Sequence, residues 1–248
     1  MHHTREALAI AERLSADLAP DAVGIGLFGS VAKGTDHPAS DIDLVLAVET
    51  EPGTEVRQVE GRMVTLSRKT AAELEAAFTR PWEAVTAVGA WRRARILHDP
   101  DGTMTRLQAR ANTWTWEAIP DVDRWAASEL VGLAEEVHKV VGMTGLGRAR
   151  AAAANRAILT LQLAYPIAAA NRLVCDSEND LWDAVAAAEG PAWARAWDTA
   201  AGLTPGDHAT GCRAVLALYR IAADHLAHHL DEPDRAIVTT ARELATEH

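Results

Sequence analysis

Two stretches of sequence decide the fold of this chain of 248 residues: residues 29–34, Gly-Ser-Val-Ala-Lys-Gly, and residues 40–44, Ser-Asp-Ile-Asp-Leu. An apolar run over residues 22–28 precedes the first stretch, and its short length between turn-forming residues predicts a buried strand. In residues 41–48, acids first alternate with aliphatic residues, and the segment then becomes wholly apolar. That pattern is typical of a central strand whose first residues emerge at a cleft.

The Gly29-Ser30 pair lies where the first predicted strand turns into a short helix. Such a turn exposes backbone N–H groups and the positive end of a helix dipole, both of which attract phosphate. Gly29 permits close approach of a ligand, and Ser30 adds a hydroxyl at the same corner. Lys33 is a candidate phosphate contact, and Gly34 lets the chain leave the helix. Gly-Ser turns are common, however, and most of them bind nothing.

Asp41 and Asp43 are two residues apart on a predicted strand, so both side chains project from one face. Ile42 and Leu44 enter the core from the other face. Two carboxylates aimed at one place repel each other, and a raised pKa or a bound cation relieves the repulsion. Hard oxygen ligands beside a phosphate-binding turn favour Mg²⁺. A solvated strand edge is the alternative, but the combined spacing of turn and acids favours the metal site.

Composition excludes several classes of function. The 24 Lys+Arg and 35 Asp+Glu residues give a formal charge of −11, which disfavours a grip on long nucleic acid. No apolar run approaches the roughly 18 residues of a transmembrane helix, so we expect no membrane partner. The first residues carry no apolar signal core, which predicts a cytoplasmic protein. Cys175 and Cys212 are expected to be buried free thiols.

The predicted fold class is α+β. A mixed sheet with flanking helices occupies an N-terminal domain, residues 1–118, and an α-helical bundle occupies residues 119–248. Strand patterns end near residue 102, after which alanine-rich helical segments follow one another. Strands are predicted at 22–28, 41–48, 56–59, 63–66 and 94–97. Thr70 and Glu73 have the spacing of a capping box, which predicts a helix from Thr70 onward. Helices are also predicted over the opening segment and at 103–117, 122–143, 148–172, 178–188, 191–201, 207–230 and 233–246.

The Gly-Ser turn followed by Asp-Ile-Asp resembles the signature of the nucleotidyltransferase superfamily that includes DNA polymerase β. The length, acidic charge and helical second half look most like the kanamycin-type aminoglycoside nucleotidyltransferases. The resemblance implies that Gly29, Ser30 and the nearby amides hold the triphosphate of ATP or another nucleoside triphosphate. It also implies that Asp41 and Asp43 ligate Mg²⁺. The expected reaction moves AMP from ATP to a hydroxyl of a small cationic acceptor, such as an aminoglycoside, with release of pyrophosphate.

Relatives usually add a third carboxylate from a neighbouring strand. The corresponding segment here, residues 62–67, contains no acid, and the nearest candidate is Glu60 at the tip of a predicted hairpin. Three alternatives stay open: Glu60 reaches inward, an acid of the helical domain completes the site, or the protein is catalytically weakened.

The resemblance also implies a general base on a helix of the second domain, four residues before a lysine that touches phosphate. Glu135 and Lys139 have that spacing, with Glu136 as the fallback base. The alternative is a solvent-exposed ion pair worth about 0.3–0.5 kcal/mol. The same relatives form dimers whose sites are shared between subunits. We therefore expect a homodimer in which the helical domain binds substrate and dimerises, with Glu135 acting across the interface.

Two other functions fit the same residues. One is transfer of AMP to a side chain of a partner protein. The other is a nucleotide-binding module whose incomplete set of acids has abolished turnover.

Overall fold

A computed structural model describes residues 2–247 of the chain. The described chain divides into two compact units: one holds residues 2–118 together with 174–177, and the other holds 119–173 and 178–247. The first contains a mixed sheet with helices, and the second is helical. The predicted α+β fold class is therefore confirmed.

Five strands form the sheet of the first unit, in the order β3-β4-β2-β1-β5. Their bounds are Gly24–Phe28 (β1), Ile42–Ala47 (β2), Gly53–Val59 (β3), Arg62–Lys69 (β4) and Arg95–His98 (β5). Strands β2 and β4 are parallel, and the other neighbours are antiparallel. Asp43, in the central strand, lies opposite Phe28 of β1 and Thr65 of β4.

Strand β2 separates the two faces of the sheet. Ile42, Leu44 and Leu46 are at most 1% exposed and belong to the core that the sheet shares with the first helix, His2–Leu18 (α1). Asp43 and Val45 alternate with them and are only partly buried. The side of the strand that carries the acids is therefore turned away from this core, as the sequence pattern predicts.

Two local predictions in the first unit are confirmed by the backbone. Glu60 and Gly61 both have positive φ, 49° and 80°, and they connect β3 to β4 as a two-residue hairpin turn. Thr70 accepts a hydrogen bond from the Glu73 amide, and the Glu73 carboxylate accepts one from the Thr70 amide. This capping box begins the helix Ala71–Ala76 (α3).

One helix of the first unit was not predicted. Its other helices are Gly29–Lys33 (α2), Pro81–Arg93 (α4) and Thr103–Thr113 (α5), of which α4 is the unexpected one. Gly89 of α4 lies against the backbone of Cys175, and the Cys175 amide donates to the carbonyl of Val85 over 2.7 Å. This contact explains why residues 174–177 belong to the first unit although they are distant in sequence.

The second unit contains seven α-helices among its described residues. They are Val122–Gly145 (α6), Ala149–Gln162 (α7), Ala164–Ala170 (α8), Leu181–Glu189 (α9), Pro191–Ala201 (α10), His208–Leu226 (α11) and Glu232–Glu247 (α12). The prediction of a single helix at 148–172 is wrong, because the helix is interrupted at Leu163. Pro166 lacks the amide hydrogen that would bond to the carbonyl of Gln162, which accounts for the break.

Within residues 2–247, no helix has both the length and the apolar character needed to cross a membrane. Cys175 and Cys212 are both buried, and neither forms a disulfide in the described part of the chain, as expected.

Candidate functional site

The turn between β1 and α2 places a left-handed glycine directly after an extended residue. Phe28 is extended, with φ −124° and ψ −170°, and Gly29 follows with φ +67°. Gly34 follows helix α2, is also left-handed at φ +71°, and its amide donates to the carbonyls of Ser30 and Val31. Both glycines adopt a conformation that costs other residues about 1–2 kcal/mol. The sequence-based interpretation of this turn agrees with the backbone.

Gly29 and Asp43 are in close contact across the β1–β2 pair. A Cβ atom on residue 29 would collide with Oδ2 of Asp43 and would also sit at a positive φ, so any other residue would strain the turn and displace the carboxylate. The missing side chain at position 29 lets the Asp43 carboxylate lie beside the start of α2, where Ser30 is only partly buried. Asp41 precedes β2 by one residue and shares a face of the chain with Asp43. The structure thus brings the Gly-Ser turn and the acids together.

The electrostatics of the pair are unfavourable without a counterion. Burial, and secondarily the negative charge of Asp41, raise the pKa of Asp43 to about 6. The hydroxyl of Thr65 donates a long hydrogen bond of 3.4 Å to Oδ2 of Asp41. A carboxylate with this pKa is half protonated near pH 6, so a cation that binds the pair has to displace a proton.

The neighbouring strand supplies no third acid to the pair. In the parallel register, the β4 residues that lie beside the acids on the same face are Met63 and Thr65. Glu60 lies at the hairpin turn, where Oε1 accepts a bond of 2.6 Å from Nη2 of Arg13 in α1. The described residues hold no group of three or more His, Cys, Asp or Glu side chains placed to bind a metal ion. Two carboxylates still suit Mg²⁺, which often takes one or two from the protein and its other ligands from water and phosphates.

The loop between α2 and β2 is fixed by contacts that the sequence analysis missed. Asp36 is only 8% exposed, and its Oδ1 accepts a bond of 2.7 Å from the Thr4 hydroxyl of α1. Arg62 donates to the carbonyl of Ser40 over 3.3 Å and to that of His3 over 3.1 Å. These bonds hold the residue next to Asp41 in place. The only sequence signal for them is the polar character of residues 35–40, which also suits a solvated loop.

The other predicted site residues lie elsewhere. Lys33 is the last residue of α2. In α6 of the second unit, Nζ of Lys139 lies 3.0 Å from carboxylate oxygens of both Glu135 and Glu136. The Glu135 side chain is 72% exposed and that of Glu136 is 14% exposed. The ion pair that was the alternative to a catalytic role is therefore present, and the roles of Glu135 as general base and of Lys139 as phosphate contact stay predictions.

Comparison with known proteins agrees with this geometry. Residues 9–80 match the family model of the nucleotidyltransferase domain, a range that includes the turn, both acids and strand β4. A nucleotidyltransferase-like protein from Exiguobacterium sibiricum 255-15 has a similar fold, with a TM-score of 0.54 and 12% sequence identity. The alignment covers 88% of this chain and 75% of that one. No curated protein matches the sequence. The domain match supports an enzyme that transfers nucleotidyl groups.

A matched pair of glycine variants tests the contact at Gly29. Gly29→Ala and Gly34→Ala both place a side chain at positive φ, but the added Cβ meets Asp43 only at position 29 and meets nothing within 4 Å at position 34. We expect Gly34→Ala to lower the free energy of unfolding by about 1–2 kcal/mol and Gly29→Ala to lower it further. Stabilisation by added Mg²⁺ should be lost in Gly29→Ala alone. Thermal melts with and without Mg²⁺ measure both effects, and equal behaviour of the two variants would contradict the interpretation.

The raised pKa of Asp43 predicts a pH-dependent stability in the metal-free protein. Since the folded chain binds this proton more tightly than the unfolded chain, stability falls as the pH rises from about 4 through 6. Asp43→Asn removes that loss, so its free energy of unfolding should exceed the wild type's by up to about 3 kcal/mol at pH 8, and by little at pH 4.

Denaturant titrations in EDTA across this pH range measure the difference. Asp17→Asn, an exposed carboxylate of α1, is the control and should show no such trend. A gap between Asp43→Asn and wild type that does not change with pH would sink the assignment.

Proposed function

We propose that this protein transfers a nucleoside monophosphate, AMP from ATP, to a hydroxyl of a small cationic acceptor such as an aminoglycoside. Pyrophosphate is the second product. The observation that carries the proposal is the juxtaposition of the Gly29-Ser30 turn with the Asp43 carboxylate, in a domain that matches the nucleotidyltransferase family model.

The residues at the turn bind and orient the donor. The amides of Gly29 and Ser30 and the Ser30 hydroxyl are donors that phosphate oxygens accept, and α2 places them at a helix start. Asp41 and Asp43 would hold Mg²⁺, an assignment that the hard oxygen donors support. When bound, this ion neutralises charge on the phosphates as the pyrophosphate leaves.

The chemical step is an in-line displacement. The acceptor oxygen forms a bond to the α-phosphorus, while the bond from that phosphorus to the bridging oxygen breaks. Pyrophosphate leaves with the electron pair, and the hydroxyl proton passes to a base. Glu135 is the base that the resemblance favours, and Glu136 is the fallback.

The charge of the protein supports a cationic acceptor. The formal charge of −11 creates a negative potential that attracts polycations and repels polyanions. The same argument disfavours long nucleic acid as the acceptor. Transfer of AMP to a partner protein gains no specific support from the structure.

A second function has one observation in its favour. Because β4 presents Met63 and Thr65 beside the acids, the site contains two carboxylates where relatives usually have three. A nucleotide-binding module without turnover would have this composition.

Activity with Asp43→Asn tests the proposal directly. Wild-type protein incubated with ATP, Mg²⁺ and a panel of aminoglycosides should release pyrophosphate and give an acceptor heavier by one nucleoside monophosphate, read by mass spectrometry. Asp43→Asn should reduce the rate by at least about 10²-fold, because it removes a carboxylate from the proposed metal site. Asp17→Asn should retain wild-type activity. Binding of ATP with no turnover on any acceptor would favour the module, and incorporation of label only into a protein band would favour protein modification.

The choice of base is tested by a pair of isosteric variants. General-base catalysis contributes about 10²–10⁴-fold, so Glu135→Gln should lower kcat by at least 10²-fold with little change in the KM for ATP. Glu136→Gln, which alters the other carboxylate bonded to Lys139, should leave kcat within a few-fold of the wild type. The reverse ranking would move the role to Glu136. Wild-type rates in both variants would remove this helix from the chemistry.

A further inference from the structure

A small cavity lies on the acid-bearing face of the sheet, within the first unit. It has a volume of about 170 Å³. Its walls come from β1, β2, β4, α3 and α4. The lining residues that matter below are Val45, Ser67, Lys69, Glu83, Ala87 and Trp91.

The cavity is adjacent to the catalytic carboxylates along the strands. Asp43 pairs with Thr65, and the next pair on the same face is Val45 with Ser67. That step is about 6.6 Å along a parallel strand. A ligand whose phosphates lie at Asp43 can therefore place the part attached to the phosphates in the cavity, along the same face of the sheet.

The lining is mostly apolar and aromatic, with a few polar groups. Phe28 meets Trp91 edge-on, with ring centroids 4.9 Å apart, which fixes the aromatic wall. In the part of the chain that the structure describes, the Ser67 hydroxyl has no hydrogen-bond partner. Glu83 is bonded to Nη1 of Arg80 over 2.7 Å, and its side chain is 13% exposed. Such a lining suits a flat ring that presents hydrogen-bonding atoms at its edge.

Size and charge distinguish between the possible occupants. Pockets for drug-sized ligands measure about 300–1,000 Å³, so a cavity of about 170 Å³ has room for one ring system and not for a multi-ring acceptor. The lining also has no excess of negative charge, because Lys69 is a cation and Glu83 is already paired with Arg80. A polycationic acceptor would gain nothing there.

We infer that this cavity binds the base of the donor nucleotide, with Val45, Ser67, Ala87 and Trp91 as specificity-determining residues. The inference rests on the proposed function, since it places the triphosphate of the same ligand at Ser30 and the acids. Glu83, Ala87 and Trp91 occur at one-turn spacing and so form one face of α4. Filling the cavity from Ala87 should therefore exclude the base while leaving the phosphate-binding turn intact.

The test compares two ligands that share the phosphates and differ in the nucleoside. Calorimetry measures the binding of α,β-methylene-ATP and of inorganic tripolyphosphate, both with Mg²⁺, to the full chain. Ala87→Phe should weaken the nucleotide analogue by at least about tenfold, which is 1.4 kcal/mol, and leave tripolyphosphate within twofold of wild type. Ala16→Phe, at an exposed position of α1, is the control and should change neither affinity. Ala90→Leu, a smaller change at the same wall, gives the same comparison where Ala87→Phe does not fold.

The outcomes separate the two proposals. If the wild type binds the analogue and both filled variants bind it equally well, the base lies elsewhere and only the cavity assignment falls. An unchanged affinity for the analogue with a raised KM for the acceptor would assign the cavity to the acceptor. That result would also overturn the assignment of the cavity to the base. If the wild type binds neither ligand, the proposed function fails and the inference fails with it. Equal weakening of both ligands in folded variants, judged by thermal melts, would show that the substitution acts through the phosphate-binding turn, and it would overturn the assignment of the cavity to the base.

Discussion

The contact between Gly29 and the Asp43 carboxylate is the constraint on which the site depends. It is made possible by two separate features, a left-handed residue without a Cβ and an antiparallel pairing that sets Phe28 opposite Asp43. Both features are needed, because without either one the start of α2 would lie farther from the carboxylate. The amides of the turn and the carboxylate of β2 are thereby positioned side by side.

The sheet can hold the partly buried Asp43 carboxylate because burial of the opposite face of β2 is strongly stabilising. An ionised Asp43 with a pKa of about 6 costs up to about 3 kcal/mol relative to an unperturbed carboxylate. Burial of Ile42, Leu44 and Leu46 contributes about 1.5–3 kcal/mol for each side chain. The apolar face thus outweighs the acidic one. A strand with alternating residues can present a destabilised functional group without losing its position in the core.

Much of the first unit is predictable from sequence because its signals are local. The hairpin at Glu60-Gly61 and the capping box at Thr70 each depend on a few neighbouring residues, and both are confirmed. Helix α4 and the docking of residues 174–177 against Gly89 depend on contacts between segments distant in sequence. The apolar pattern of residues 148–172 predicts one continuous helix, whereas the structure has two helices that separate at Leu163, shortly before Pro166.

The same limit applies to the site. The pairing of turn and acids follows from spacing on adjacent strands, whereas the partner of Glu60 is a residue of α1, distant in sequence. Its bond to Arg13 gives Glu60 a structural partner at the hairpin tip. Sequence alone could not show this bond, so it left open whether Glu60, an acid of the helical domain or no acid completes the site. On the proposed function, a site with two protein carboxylates holds Mg²⁺ weakly by itself, and the phosphates of the nucleotide supply the missing ligands. Metal and nucleotide would then each raise the other's affinity by the same factor, because binding free energies are reciprocal. In such a site, a third acid from the protein would raise the affinity for Mg²⁺ in the absence of nucleotide. Because Met63 and Thr65 occupy the neighbouring positions instead, metal binding together with the nucleotide is favoured over metal binding before it.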